Sequence, residues 1–433
     1  MSVLTRDPVT DRVHKWLGRL PAGWTGGRLF EIADAWTSNV DKHTVEGQPP
    51  VRLCNYVDVY KNSSIVGALD FMCASATREQ IEKFRIRVGD TLITKDSETA
   101  DDIGVPAFVE YEADDLICGY HLAIVRPDRS KADPKYLYWV LDSEPIARQW
   151  SVTAAGVTRV GIRSTDLNKV TIPLPPLYEQ RAIADYLDQE TAQIDALVAK
   201  QEEFIGLLRE RRQTVIRAAT GWGQPLPNGW TTSRLSHLFS STGSGTTPAN
   251  DDILGASNGD IAWVTTGELR ERQIESTKKA ISYSVLQKYS ALKVYPSGTL
   301  LVAMYGATIG RTGLLTMPAA TNQACCALVG PVRAIAEFVE YSLVAGRERL
   351  LLDASGGGQP NINQDKVRAF RIPVPAIDEQ RSIVEHIKEQ TSRIDTLIAK
   401  AEEHIALAKE RRAALITAVV TGQFDVRTAR KAG

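Results

Sequence analysis

From Ile183 onward the apolar positions fall at three- and four-residue steps: Ile183, Leu187, Ile194, Leu197, Val198, Ile205, Leu208, Val215 and Ile216. Glu, Gln, Lys and Arg fill the positions between, which is the signature of an amphipathic helix with one apolar stripe. The same stripe returns as Ile383, Ile387, Ile394, Leu397, Ile398, Ile405, Leu415 and Ile416. Pro173/Pro175 and Pro373/Pro375 stop either helix from starting earlier, and Gly221 and Gly422 stand where each pattern ends. About 40 residues remain in each, or ~60 Å of helix at 1.5 Å per residue. Such helices are polar on three sides and too long to lie on one small domain. The economical arrangement packs one against the other, antiparallel, because a whole domain separates them in sequence.

Ahead of each helix the pattern is shorter in period. Ser297–Tyr305 followed by Gly306–Leu315 predicts a strand, a Gly-rich turn and a strand, with Val88–Thr94 in the matching place of the first half. His121–Pro127 matches Cys325–Pro331 as a further strand. Pro134–Ser143 matches Glu337–Gly346 as a helical segment, and Ala154–Leu167 lies over Ala354–Val367. The repeat also includes WLGRLPAGW from Trp16, which returns as WGQPLPNGW from Trp222. A period of about 200 residues is far beyond the ~20–50 of solenoids, so whole domains are duplicated. The chain divides into a first head (1–171), a first long helix (172–221), a second head (222–371), a second long helix (372–422) and a tail (423–433). The expected class is α+β: two mixed α/β heads joined by two long antiparallel coiled-coil helices with pseudo-two-fold symmetry. Between the shared anchors the loops differ, as expected for heads with related but different targets.

Composition adds bounds rather than direction. The 433 residues have a formal net charge of −1, mildly against a free-standing nucleic-acid binder but compatible with local basic faces or contacts shared with a partner. No apolar run approaches the ~20 residues of a membrane span, and the charged N-terminus is unlike a signal peptide. A cytoplasmic protein is the expectation. Cys54, Cys73, Cys118, Cys325 and Cys326 form no CxxC pair and read as reduced core residues.

Catalytic motifs are scarce. There is no GxxxxGK[ST] phosphate loop, no dinucleotide fingerprint and no GxSxG elbow. Pro127-Asp128 with Asp133-Pro134-Lys135 superficially resembles a metal-nuclease arrangement, but the second half has no counterpart, and a charged turn explains it better. The loops carry more. Gly306–Arg311, with Thr308 and Arg311, could bring backbone and a guanidinium to a phosphate, or be a tight turn only. Gln359, Asn361 and Asn363 are amides of the kind that pair with adenine edges. Thr158, Arg159 and Arg163 lie at the matching places, where arginine suits guanine or phosphate. Lys95 follows the matching strand of the first head. These nine are the candidate DNA-contacting residues. Both helices also keep EQR (Glu179, Gln180, Arg181; Glu379, Gln380, Arg381) and ERR (ending Arg211, Arg212; Arg411, Arg412). Surface residues retained between drifted copies suggest a common partner docked on each copy, although recent duplication would also retain them.

The ordered pairs P-x-P-(x)3-EQR-x-I, ID-x-L-(V/I)-AK and ERR-(x)3-I resemble the specificity subunits of type I restriction–modification systems. So do the P-x-GW segments at Pro21–Trp24 and Pro227–Trp230, and the GAT-x-G and QPNI segments of the second head. The first head departs, with GVTRVGI in place of QPNI and no GAT-x-G. The resemblance implies that each head is a target-recognition domain reading one half of a bipartite double-stranded DNA sequence, with the helices fixing the gap. It implies two docked methyltransferase subunits and restriction (motor–nuclease) subunits. It implies no cofactor in this chain, with S-adenosylmethionine, ATP and Mg held by those partners, and no catalytic or metal site. Two other readings remain at this stage: a coiled-coil scaffold with protein-binding heads, and a self-contained DNA-modifying enzyme.

Overall fold

The computed structural model describes residues 8–156, 158–352, 354 and 361–429. These form two compact units: residues up to 201 together with 403 onward, and residues 202–402. The first long helix runs Leu177–Ala219 and the second Ile377–Val420, so each unit contains one head and a part of both helices.

In the first unit a five-stranded sheet has the order Ala33–Thr37, Leu122–Pro127, Thr91–Thr94, Pro106–Val109, Ser64–Ile65. Neighbours are antiparallel except the last pair, which is parallel. A three-stranded sheet of Met72–Ser75, Pro50–Cys54 and Leu116–Cys118 stands beside it. The unbroken apolar runs of the central strands follow from burial on both faces. Leu92, Leu122 and Ile124 face a cluster with Leu53 and Ile117. Ile93, Ala123 and Val125 face the other way, toward Tyr136, Leu137 and Trp150.

The second unit repeats this plan. One of its two five-stranded sheets has the order Phe239–Ser244, Cys325–Pro331, Leu300–Ala303, Thr312–Leu315, Arg272–Ile274, again with only the last pair parallel. The other, Leu254–Gly255, Lys279–Ile281, Ile261–Val264, Ala319–Thr321, Val294–Tyr295, stands where the first unit has three strands. Leu300 and Val302 face one cluster, Leu301 and Ala303 the other. The predicted strand pairs and the helices Pro134–Leu141 and Ala336–Ala345 are therefore present in both halves. The Pro-x-Pro segments, placed at the start of the helices by their sequence, are instead strands: Thr171–Leu174 pairs with Thr25–Arg28, and Arg371–Val374 with Thr231–Arg234. Both are two-stranded ribbons, where a proline costs little because no second neighbour needs its missing N–H.

Within each unit the two helices run antiparallel. In the first, Ile183 and Leu187 share a cluster with Ile416, Val419 and Val420, and Arg412 Nε lies 3.1 Å from Asp195. In the second, Ile216 packs with Ile387, and Arg212 Nε lies 3.0 Å from Asp395. Gly221 and Gly422 end the helices with φ of 70° and 72°. An N–H beyond each helix end reaches back into the last turn, Trp222 to Arg217 O and Phe424 to Ala418 O.

Each head is fastened to its helix by the Glu and Gln of the repeated EQR. Glu179 accepts a hydrogen bond from Trp24 Nε1 at 2.8 Å, and Glu379 one from Trp230 Nε1 at 3.0 Å. Gln180 and Gln380 are buried. Gln180 accepts from Asp133 N and donates to Lys131 O and Pro175 O. Gln380 accepts from Ile335 N and donates to Arg333 O and Pro375 O. The glutamines are thus corrected from partner contacts to internal fasteners, satisfying loop backbone that no regular element can reach. Arg212 and Arg412 are corrected likewise: Arg412 also holds Asp142 at 3.3 Å and lies over Trp139. Cys73 is exposed, unlike the other four cysteines, and all five are free thiols.

Two stability measurements follow. Gln180→Ala or Gln380→Ala strands a buried N–H and carbonyls, each unsatisfied group costing about 1–3 kcal/mol. Urea unfolding is expected to show a clear loss for both, while the exposed Arg181→Ala and Arg381→Ala stay within about 0.5 kcal/mol of wild type. Equal small effects in all four would refute the fastening role. Separately, burial pushes the Glu340 carboxyl up to about 7, against the pull of its hydrogen bond with Thr312. The unfolded group ionises near 4.5, so between those values the folded state holds more protons and loses stability as pH rises, by at most about 3 kcal/mol. Glu340→Gln should raise the melting temperature at pH 8 and do much less at pH 5; a gain independent of pH would contradict this.

Candidate nucleic-acid interface

The two heads present their candidate residues on an equivalent piece of backbone. Ile162 N donates to Lys95 O at 2.8 Å in the first, and Ile362 N to Met304 O at 2.9 Å in the second. Gly104 N donates to Thr94 O and Gly310 N to Ala303 O, with φ of 80° and 73°. Between these pinned points the first head carries the longer excursion through Asp96–Ile103, where the second has the short turn Gly306–Thr308. The absent GAT-x-G of the first head is therefore a longer loop between the same supports.

In the first head Asp96–Ser97 pairs with Val160–Gly161, which draws Lys95, Thr158, Arg159 and Arg163 toward one loop cluster. Thr158, Arg159 and Arg163 are exposed. Arg163 occupies the N-cap of the short helix Ser164–Leu167. Lys95 Nζ lies 4.2 Å from the centre of the exposed Tyr120 ring. His121 Nδ1 is 2.9 Å from Asp96. Basic groups interleaved with aromatic rings are suited to phosphates and bases together.

In the second head Asn361 bridges Tyr305, beside the turn that carries Thr308 and Arg311. Thr308 donates to Tyr305 O, and Arg311 Nε approaches Glu271 at 4.0 Å. Asn363 is exposed and also serves as a helix cap, since its Oδ1 accepts from Lys366 N at 2.8 Å and starts Gln364–Ala369. Gln359 lies outside the described residues.

Away from the glycine-bearing loops, the second head also carries a groove of about 930 Å³, lined by Arg270, Arg272, Gln273, Ser276, Thr277, Lys278 and Lys279 among others. Glu268 shapes it by accepting from Thr265 N and Lys278 N, both at 2.8 Å. The density of charge in ELRERQIESTKK was the available clue. At the corresponding capping turn of the first head Asn55 N donates to Asp58, and the exposed side presents Tyr56 stacked on Tyr60. The nuclease-like carboxylates are occupied: Asp128 accepts from Ser130 and pairs with Lys131, and Asp133 caps the helix at Tyr136 N.

Of the residues read as partner contacts, Glu179, Gln180, Glu379, Gln380, Arg212 and Arg412 serve internal bonds. Arg181, Arg211, Arg381 and Arg411 are exposed, with Arg381 3.1 Å from Asp378 on its own helix. Among the described residues no helix is long and apolar enough to cross a membrane.

The family model described as type I restriction modification DNA specificity domain matches residues 55–204 and 227–406. The type I restriction enzyme MjaX specificity subunit of Methanocaldococcus jannaschii is 22% identical over 436 residues, covering 95% of this chain and 96% of that protein. The EcoR124I/EcoR124II specificity subunit of Escherichia coli is 24% identical over 306 residues, 66% of this chain and 69% of that protein. A chain from a solved structure concerned with complex assembly and conformational transition of the type I R-M system superposes with a TM-score of 0.73 at 20% identity. It covers 94% of this chain and 100% of that one, and so supports the fold. With both halves matched by the family model, the chain belongs to the type I restriction–modification DNA specificity family.

Proposed function

We propose that this chain selects the DNA sequence for a type I restriction–modification complex, each head reading one half of a bipartite target. As a specificity subunit it is a recognition protein rather than an enzyme. The observation that carries the division of labour is the pair of heads with the same strand order and pinned backbone but different polar loops between the pins. A fixed support with variable side chains at the tip is what base-edge readout requires. In this reading Lys95, Thr158, Arg159 and Arg163 act for the first head. Thr308, Arg311, Asn361 and the Arg272–Lys279 groove act for the second, with Gln359 as a further candidate from sequence.

Methyltransferase subunits are its partners, and the exposed Arg181, Arg211, Arg381 and Arg411 are the proposed docking contacts. S-adenosylmethionine, ATP and Mg belong to the partner subunits, with cleavage by a restriction subunit. A cytoplasmic location accords with work on cellular DNA.

The long helices act as the spacer between half-sites. Inserting four residues near Ala199 and four near Ala399 adds about 6 Å of helix. At ~3.4 Å per base pair, the gap should lengthen by one or two base pairs while both half-sites stay the same. Methylation mapping of the assembled complex reads this directly; undiminished modification of the original sequence would remove the spacer role.

For the heads, Arg159→Ala and Gln273→Ala should each affect only one half-site. A lost bidentate base contact is expected to cost about 1–3 kcal/mol and relax one position. A lost phosphate contact would instead weaken all sequences and flatten the salt dependence. Binding within twofold of wild type for both, at matched salt, would move recognition away from these loops.

A further inference from the structure

A second cavity in the second unit, of about 220 Å³, gathers four guanidiniums: Arg212, Arg270, Arg311 and Arg347. Arg212 is neutralised by Asp395, and Arg347 donates to Ile309 O. Glu271 is the acidic side chain among the lining residues, and its carboxylate stands 4.0 Å from Arg311 and 3.7 Å from Arg347, beyond hydrogen-bond distance. Arg311 Nε is buried without a hydrogen-bond partner among the described residues. Arg270 donates to Gly267 O and lines both this cavity and the polar groove of the same head. Glu271 itself has φ 53°, the one non-glycine in the left-handed region among the described residues, held there by its N–H on Thr312 O. Strain of this kind persists where surrounding structure requires a side chain in a fixed place.

One loosely held carboxylate facing three guanidiniums leaves positive charge and a buried donor unanswered. We propose that the cavity seats one backbone phosphate of DNA held by the second head, gripped by Arg270, Arg311 and Arg347, with Glu271 as a brake on non-specific binding. This rests on the chain's DNA-recognition role. At the equivalent backbone position, which accepts from the matching strand, the first head carries Val105 in place of Arg311.

The test uses the complete complex with its methyltransferase subunits, titrated in potassium chloride with a cognate and an unrelated duplex. Arg311→Gln and Arg270→Gln should each lower the slope of log affinity against log salt by up to ~0.9, and the double variant by no more, since one phosphate is shared. Both duplexes should weaken alike, several-fold at low salt. Glu271→Gln should tighten both, an effect that damage to the fold cannot produce. Changed preference at one base position with an unchanged slope would overturn the proposal, as would Glu271→Gln weakening binding or no effect in any variant. Inorganic phosphate separates the sources. Weak stabilisation reversed by either duplex supports a backbone seat; tight phosphate binding that DNA does not displace would assign the cavity to a free anion instead. A wild-type complex that does not prefer the cognate duplex would refute the recognition role itself, whatever the variants do.

Discussion

A helix of 43 or 44 residues with a single apolar stripe must have that stripe covered along its length. Isolated helices gain little from propensity, and most of their stability comes from packing an apolar face. Neither head is large enough to cover such a helix, and in each unit the cover comes from two sources. Ile183 and Leu187 lie against head residues such as Tyr136 and Leu137 and against Ile416 and Val419 of the other helix. Ile216 lies against Ala345 and Ile387. The compact units therefore cut across the sequence segments: each head borrows the end of the helix that follows the other head. Gly422 sits against Pro21 and Trp24, and Gly221 against Trp230, in spaces that a Cβ would fill.

This arrangement explains why certain polar residues recur in both copies. Surface residues have no reason of their own to be retained, and their recurrence alone is equally compatible with a common partner or a recent duplication. For Gln180, Gln380, Arg212 and Arg412 the reason is internal, because they satisfy buried loop backbone or pair the two helices. The periodic stripe identified the helices but could not reveal this, since Gln180 falls among exposed-looking polar residues. Its burial comes from a loop folded over it, a tertiary fact. The Pro-x-Pro strands escaped for a similar reason: proline argues against helix but says nothing about which distant ribbon, Thr25–Arg28, will pair with it.

At the recognition loops, legibility depended on whether function or framework used the residue. Arg159 and Arg163 remain exposed, as their loop composition suggested. Asn363 looked equivalent to Arg163 and is so by position, yet its carbonyl oxygen is taken by Lys366 N. An asparagine before a helix is an N-cap as readily as a base reader, and side-chain type alone does not choose. The groove at Arg270–Lys279 carries no glycine-bearing turn to mark it in sequence, because its walls are a strand, Arg272–Ile274, and the chain running on to Lys279.

The two heads can diverge because their supports do not depend on what lies between them. Thr94 N bonds Val105 O as Ala303 N bonds Arg311 O, and the glycine just before each acceptor turns the chain with positive φ. Those bonds are backbone to backbone, so they tolerate any side chain at the acceptor: valine in one head, arginine in the other. A loop of different length fits between the same pins, since closing a longer loop adds only ~0.6 kcal/mol per doubling. Stability and specificity are thereby assigned to different atoms. The glutamine fasteners and the helix pairs hold the head in place, and the loop side chains are released to vary with the DNA they meet.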